Sequence, residues 1–416
     1  MTAVLATGCS SGSGAAPKQT ADPCAQVAHD VLSVTQDYVD TFNVDQQPVS
    51  TSSPSPSPSP SASTAAIGVT PQQYTDAIAA ARQRLVAGKC DQTRFHDALA
   101  GGLPALKSHG AIATAVLAQL RVSLTSALPP QPVTRQVTPH DDLSEVLAEV
   151  SDGSTVRLSA GTYRLKDSLV LLRPVTLVGD GRTRTVVSSD AVDAAVLVMT
   201  GAPVTLDSLT VSRPGSTPGS GIVTGPSATL SLHAVRVSGA RASGDGSGGV
   251  GVLLTASADQ AASKTVTFRA TDSDFSGNAA AGVAAGGGHR TAITSSRFDG
   301  NQQCGICFLG GAVGTISGST FTRNSVAIVA GSTSAPLVRA NHVVGGEVGI
   351  QASGSAKPVI SDNTISGVAR ASMVFIDSAA GTVDGNNCSG DRAGIAVARS
   401  AYPYVGHNAC RVTIGS

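Results

Sequence analysis

Short apolar segments separated by turn residues recur through most of this chain of 416 residues. After Gly153 the apolar positions alternate over four or five residues and are bounded by Gly, Asp, Ser and Pro, a pattern typical of short β-strands. Between residues 283 and 410 the apolar positions repeat every 22 or 23 residues. The pattern therefore predicts stacked β-structure with an internal repeat.

Three apolar ladders carry this period, and each contributes one residue to every repeat. The first ladder comprises Ile293, Ile316, Val338, Ile360, Val383 and Val405. The second lies five residues further along and comprises Phe298, Phe321, Val343, Ile365, Cys388 and Cys410. The third follows a Gly-Ile step or its equivalent and comprises Val283, Ile306, Ile328, Ile350, Met373 and Ile395.

A repeat of this length accommodates three short strands and three turns, whereas helical repeats need about 30 or more residues per unit. Stacked repeats place like residues above one another at about 4.8 Å. The ladders are therefore predicted to fill the interior of an all-β parallel solenoid. A slip of one residue would expose a whole ladder, so the pattern also fixes the register.

Asparagines recur in the predicted turns with the same period. They form two sets, Asn278, Asn301 and Asn324 in one turn and Asn341, Asn363, Asn386 and Asn408 in another. Asn tolerates the left-handed backbone of such turns, and its amide can hydrogen-bond to the Asn in the next repeat. We interpret these residues as structural ladders and not as catalytic groups.

The N-terminal region carries helical signals instead. Pro23 follows the N-cap candidate Asp22, and Thr70 forms a capping box with Gln73, so both segments predict helix starts. Predicted helices cover 22–43, 91–99, 106–124 and 141–150, with another beginning at Thr70. The predicted organisation is a start and tether at 1–21, a helical module at 22–126 interrupted by a Ser/Pro linker at 48–66, a linker at 127–137, and the β-solenoid at 138–416 with its capping helix.

Six of the seven cysteines form pairs, which suits an oxidising compartment. The predicted disulfides join Cys24 with Cys90, Cys304 with Cys307, and Cys388 with Cys410. The last two cysteines lie one repeat apart, which places them within the usual Cα separation for a disulfide of about 4.4 to 6.8 Å. A Cys-x-x-Cys redox site would need a helix N-terminus at Cys304, but the surrounding residues predict a turn entering a strand.

The remaining cysteine lies in Val-Leu-Ala-Thr-Gly-Cys-Ser-Ser-Gly at residues 4–12, which resembles the lipobox of bacterial lipoproteins. The resemblance implies lipidation of Cys9 and anchorage at the extracellular face of the cell membrane, with soluble secretion as the alternative. Ala6 stands where that family prefers Leu, and no basic segment precedes the box. We therefore expect translation to start upstream.

The β-solenoid resembles the right-handed parallel β-helix superfamily of pectate-lyase-like proteins. The residues that carry this resemblance are Gly-Ser-Thr-Val-Arg-Leu-Ser-Ala-Gly-Thr-Tyr at 153–163 and Val-Thr-Leu-Val-Gly-Asp-Gly at 175–181. The resemblance covers about 138–416 and implies an N-terminal capping helix. It is specific for the fold, because the superfamily includes lyases, glycoside hydrolases, epimerases and non-catalytic surface proteins.

Enzymes of this superfamily place their acids and bases on the outer face of one sheet. The outward positions after the Gly-Ile step are Ala284, Cys307, Val329, Gln351, Val374 and Ala396. These residues cannot hold calcium or supply paired carboxylates. The insertions between strands offer weak catalytic candidates, which are Asp245, Asp259 and His289.

The composition of the chain argues against nucleic-acid binding, sugar stacking and metal binding. The 28 basic and 28 acidic residues cancel, which leaves no charge signal for nucleic acid. No Trp is present and aromatic residues make up 3%, so no platform for stacking on sugars is expected. His29, His96 and His109 lack the spacing of metal ligands, and neither a metal nor a cofactor is predicted.

The sequence favours an exported, lipid-anchored protein whose β-helix is a binding or structural rod and not an enzyme. Its expected partners are a cell-wall or extracellular glycan, a surface protein, and the membrane through the lipid anchor. The alternative is a polysaccharide lyase, glycoside hydrolase or epimerase of the same superfamily.

Overall fold

The computed structural model describes residues 22–42, 69–125, 131–226, 228–256, 263–388 and 393–415. Within these residues the chain winds through three parallel sheets of twelve, nine and eleven strands. The parallel β-solenoid predicted from the sequence is therefore confirmed. Cys9, the Ser/Pro linker and Asp259 lie outside the described residues.

The sheets are named A, B and C in the order in which each turn of the coil visits them. Sheet A contains Thr134–Val137, Thr155–Leu158, Thr176–Gly179, Pro203–Asp207, Thr229–His233, Phe268–Thr271, Arg290–Thr294, Val313–Ser317, Ala335–Arg339, Val359–Ser361, Thr382–Asp384 and Tyr404–Val405. Sheet B contains Gly161–Leu165, Thr185–Ser189, Thr210–Ser212, Arg236–Ser238, Asp274–Ser276, Arg297–Asp299, Thr320–Thr322, His342–Val344 and Thr364–Ser366. Sheet C contains Leu169–Leu171, Asp193–Val198, Gly219–Thr224, Val252–Leu254, Ala281–Ala285, Cys304–Phe308, Val326–Ala330, Val348–Ala352, Ala371–Phe375, Ile395–Val397 and Val412–Ile414.

The register of sheet A confirms the first ladder. Ile316 pairs with Val338, and the pairing continues through Ile360 and Val383 to Val405. The first four side chains are fully buried, and Val405 packs against the same core from the last turn. The ladder therefore lies on one face, pointing inward.

The second and third ladders lie in sheets B and C and point into the same core. Phe275, Phe298 and Phe321 stack in the second ladder, with ring centroids 4.9 and 4.6 Å apart. Gly305 explains the Gly-Ile step, because a Cβ atom there would lie 2.6 Å from Cδ1 of Phe321. Glycine at this step leaves room for the aromatic ring of the following turn.

Both asparagine ladders are confirmed. Nδ2 of one Asn donates to Oδ1 of the next at 2.9 to 3.0 Å, in the series Asn278, Asn301, Asn324 and in the series Asn341, Asn363, Asn386, Asn408. Serines extend the second ladder toward the N-terminus, since the backbone N–H of Ser319 donates to Oδ1 of Asn341 at 3.0 Å. The ladders tie each turn of the coil to the next.

One detail of these turns was predicted wrongly. At six of the seven ladder asparagines the left-handed backbone belongs to the preceding residue, as at Ala340 with φ 53° and Asp362 with φ 57°, and none of these asparagines adopts it. The left-handed residue turns the chain between sheets. The asparagine that follows it, such as Asn341, then places its amide in the buried stack.

Five α-helices precede or cap the coil in the described part of the chain: α1 (Pro23–Asp40), α2 (Pro71–Ala87), α3 (Gln92–Gly102), α4 (Ala111–Thr125) and α5 (Leu143–Glu149). A short 3₁₀ turn covers Leu103–Ala105. The capping box at Thr70 is formed as predicted. Helix α4 starts later than the predicted residue 106, because Gly110 adopts a φ of 90° immediately before it.

The coil begins inside the segment 127–137 that the sequence analysis assigned to a linker. Thr134–Val137 pairs in parallel with Thr155–Leu158, and Val137 is 1% exposed in the core. Among the residues of this strand Val137 alone is apolar, so alternation was too weak to predict it. The linker assignment is therefore corrected at its C-terminal end.

All three predicted disulfides are formed. The Cα separations are 5.4 Å for Cys24 with Cys90, 6.1 Å for Cys304 with Cys307, and 4.8 Å for Cys388 with Cys410. Cys304 begins a strand and lies at no helix N-terminus, which agrees with a structural bond. The bond between Cys24 and Cys90 joins the start of α1 to the turn between α2 and α3.

Replacing Cys388 and Cys410 together with serine is expected to lower the free energy of unfolding by about 3 kcal/mol. The bond closes a sequence separation of 22 residues and fastens the last turn of the coil, which would otherwise fray. Urea unfolding of the oxidised protein and the double variant measures the difference. Non-reducing peptide mapping that finds free thiols at both positions would contradict the bond and weaken the case for export.

Candidate functional site

The outer face of sheet C carries one continuous column of side chains. In order along the coil the column comprises Val170, Leu197, Val223, Leu253, Ala284, Cys307, Val329, Gln351, Val374 and Ala396. The residues on either side point inward, as Ile306 and Phe308 do beside Cys307. The six outward positions identified from the sequence lie in this column.

Helices α1 and α4 cover the start of the column. Val170, Leu197 and Val223 are at most 3% exposed there. They pack in one apolar cluster with Tyr38, Val39, Phe42, Ala113, Val116, Leu117 and Leu120. The hydroxyl of Tyr38 donates to the carbonyl of Met199 at 2.6 Å, and burial raises the pKa of this tyrosine. The outer face of sheet C is thus already a docking surface for the helical module.

The rest of the column is called the open face here: Leu253, Ala284, Cys307, Val329, Gln351, Val374 and Ala396. Leu253 also packs against the helical cluster, and Ala284 and Cys307 are buried, at most 5% exposed, in a second apolar cluster that contains no residue of a described helix. Val329, Gln351, Val374 and Ala396 are half-buried. These four residues are the accessible part of the open face, which is largely apolar and has no carboxylate, base or aromatic ring in its column.

Two of the insertions between strands, the first at 212–221 and the second at 238–249, meet at the edge of sheet C. Gly219 in the first pairs with Arg241 in the second, and both wrap around Arg213, which is 1% exposed. Nη2 of Arg213 donates to the carbonyls of Thr217 and Pro218 at 3.1 and 3.3 Å. Nε and Nη1 have no partner among the described residues. Arg213 was not predicted as the centre of this junction, because a single arginine in a Gly-rich loop has no diagnostic spacing.

Two acidic residues act on the charge of Arg213. Burial lowers the pKa of its guanidinium, while the negative charges of Asp190 and Asp193 raise it. A Cβ atom at Gly215 would overlap the Asp190 carboxylate, so the loop needs glycine there to approach the acid. Buried Arg213 and the half-buried Asp190 and Asp193 thus interact electrostatically at the base of the insertion.

Asp245, the first catalytic candidate, lies in a solvent-exposed turn of the second insertion. Its carboxylate accepts hydrogen bonds from the hydroxyl of Ser243 and from the backbone N–H of Ser247, the latter at 2.9 Å. These hydrogen bonds lower the pKa of Asp245 to about 2. A carboxylate that stays ionised at neutral pH does not serve as a general acid.

His289, the second described candidate, is buried at the turn from sheet C to sheet A and is 1% exposed. Its Nε2 lies 2.8 Å from the carbonyl of Thr255, and its Nδ1 lies 3.0 Å from the hydroxyl of Thr267. The carbonyl accepts only, so Nε2 carries the proton and Nδ1 accepts from the threonine. Both ring nitrogens are therefore engaged within the fold.

Burial lowers the pKa of His289 below its usual value, so the unfolded chain binds more protons than the folded one just below about pH 6.5. Stability carried by neutral His289 is present above that pH and is lost as the pH falls toward the folded pKa. The wild-type protein is expected to lose stability between about pH 7.5 and 5 more steeply than His289→Gln. Urea midpoints at both pH values measure this, and parallel losses would contradict it.

The described residues contain no cluster of three or more His, Cys, Asp or Glu side chains that could hold a metal ion. Asp259, the third candidate, lies outside them. Among the described helices, none is both long and apolar enough to cross a membrane.

Comparison with known proteins assigns the coil to a class. Residues 250–409 match the family described as right handed beta helix region. The coil is thus a right-handed parallel β-helix with a helical module on its outer face. No curated protein matches the chain.

Three solved structures are similar at low identity. The enzymatically active domain of tailspike protein 2 from bacteriophage CBA120 is 12% identical, with 67% of this chain and 47% of that chain covered and a TM-score of 0.46. Pectate lyase Pel9A is 11% identical, with 68% and 79% covered and a TM-score of 0.35. The PL6 family alginate lyase AlyGC is 12% identical, with 70% and 39% covered and a TM-score of 0.34. The chain spans about half the length of the tailspike structure.

Proposed function

We propose that the chain is an exported, lipid-anchored protein of the bacterial cell surface whose β-helix is a rigid binding rod for glycan or protein partners. The observation that carries the proposal is the open face. It continues the outward column of sheet C, and the first residues of that column already pack against the helical module. A strip of stacked apolar side chains suits docking against another surface. Its column offers no group that binds calcium, abstracts a proton or protonates a leaving group.

Substitution on the open face tests this role in the full chain. Val374→Arg places a charge in the accessible part of the open face, and Val359→Arg places the same charge on the outer face of sheet A, where Val359 is 44% exposed. Binding is measured on a glycan array and on immobilised surface proteins of the source bacterium. We expect Val374→Arg to weaken binding at least about tenfold, because one desolvated charge costs more than 1.4 kcal/mol.

The control Val359→Arg should bind like the wild type. Equal binding by both variants and the wild type would show that partners do not use the open face, and the binding-rod proposal would then be abandoned. Loss of binding in both variants would point to a general effect of charge and would also count against it.

Export and anchoring rest on the sequence around Cys9 and on the disulfides, which favour an oxidising compartment. When the protein is expressed from its own gene, a clickable fatty acid should label it, and Cys9→Ser should lose the label. A labelled Cys9→Ser protein would contradict lipidation at this residue.

The alternative is a polysaccharide lyase, glycoside hydrolase or epimerase. One observation favours it: the insertions around Arg213 and Asp245 meet beside the open face, where a substrate groove would need walls.

A further inference from the structure

A large cleft lies away from the open face, between the helical module and the first turns of the coil. Its volume is about 950 Å³, at the upper end of the range of small-molecule sites. Helices α2, α3 and α4 line most of one side of the cleft with Val31 of α1, and the coil lines the other side around Asp152, Leu172 and Pro174. Apolar side chains line most of the cleft, including Ile78, Leu85, Phe95, Leu99, Leu124 and Leu172.

Two arginines of the lining give one part of this cleft a positive charge. The Arg173 side chain is 14% exposed, donates from Nη2 to the hydroxyl of Ser123 at 2.5 Å, and has Nη1 3.5 Å from the Asp152 carboxylate. Arg82 is exposed and has no hydrogen bond or ion pair with another described residue. Asp152 is the only carboxylate among the described lining residues, which also include Lys89.

The pKa of Arg173 reflects the positive charge that gathers in this part of the cleft. Burial lowers the pKa of the Arg173 guanidinium, Asp152 raises it, and the positive charge of Arg82 lowers it further. The two guanidinium groups therefore repel each other, and an anion placed between them would relieve that repulsion. The planar N–H donors of arginine match carboxylate and phosphate oxygens.

We propose that this cleft binds a small amphipathic anion, with its carboxylate or phosphate head at Arg82 and Arg173 and its apolar body against the helices. Leu85 and Phe95 lie on the helices α2 and α3 that would receive the body. The ligand class follows from the combination of an apolar wall with the charge of Arg82, which has no ion pair with a described residue. The site is separate from the open face and does not depend on the proposed binding rod.

Calorimetric titration of the full chain with dodecanoate and with dodecyl phosphate, below the concentrations at which they form micelles, tests the proposal. At least one of the two anions should bind, and comparison of their affinities identifies the preferred head group. Dodecanol has the same apolar body without the charge and should bind at least about tenfold more weakly, since a hydrogen bond to a charged group is worth about 1.5 to 3 kcal/mol.

Two variants locate the site. Arg82→Gln should weaken binding of the anion about tenfold. Ala79→Trp fills the cleft from an exposed position of α2 and should abolish binding. Arg94→Gln, an exposed charge on α3 outside the lining, is the matched control and should bind like the wild type. Absence of binding by both anions, equal affinity for dodecanol, or affinity unchanged in both Arg82→Gln and Ala79→Trp would overturn the proposal.

Discussion

Replacing Asn363 with alanine is expected to lower the free energy of unfolding by about 4 kcal/mol, because several buried polar groups lose their partners at about 1 to 3 kcal/mol each. Asn363 is 1% exposed, and its Nδ2 donates to Oδ1 of Asn386 at 2.9 Å and to the carbonyl of Val338 at 3.0 Å. Its Oδ1 accepts the backbone N–H and the Nδ2 of Asn341, both at 3.0 Å. The substitution therefore interrupts the ladder in its middle.

The neighbouring Thr364→Ala is the control for Asn363→Ala. Thr364 is half-buried on the outside of the same turn, and its loss should change stability by no more than about 0.5 kcal/mol. Urea unfolding gives the stabilities, and hydrogen exchange at the amide of Asn341 reports the lost acceptor directly. A loss below about 1 kcal/mol together with unchanged exchange at Asn341 would refute the structural role of the ladder.

Phe298→Ala is expected to cost about 4 kcal/mol, since truncation of a buried phenylalanine removes its transfer free energy and leaves a cavity. Phe298 is fully buried and stacks on Phe275 at 4.9 Å and on Phe321 at 4.6 Å. The gap would lie in the interior of the coil, where neighbouring turns are fixed by the sheets and collapse poorly. Thermal and urea unfolding of the variant measure the loss.

Two further variants serve as controls for the stability loss expected for Phe298→Ala. Phe298→Leu keeps most of the volume and should cost less than half as much as alanine. Val344→Ala changes an exposed side chain of sheet B and should alter stability by no more than about 0.5 kcal/mol. If Phe298→Ala were as mild as Val344→Ala, the ring would not be in the core.

The β-solenoid could be predicted from the sequence because every repeat supplies the same register information again. Each of the ladders at Ile316, Phe321 and Ile328 repeats over successive turns, so one register satisfies all of them together. The disulfide between Cys388 and Cys410 follows from the same register. The first strand, Thr134–Val137, was missed because it has too few apolar residues to show alternation.

The site was predictable in part. The outward column of sheet C was predicted from the repeat of 22 or 23 residues, which places Ala284 and Val374 on one face. Docking of α1 and α4 on Val170 and Leu197 was not assigned, because contacts between helices and a distant strand leave no periodic signal in the sequence. Arg213 was missed for a similar reason, since its burial depends on how two loops fold over it.

Incubation of the purified full chain with polygalacturonate and with alginate, with and without calcium, tests most directly whether the β-helix binds or catalyses. A commercial pectate lyase serves as the positive control for the assay. We expect no unsaturated uronate products with or without calcium, because the column of the open face lacks an acid, a base and a calcium ligand. Release of such products by the wild type, abolished by Asp245→Ala or Asp259→Ala, would contradict the binding rod and establish the enzyme.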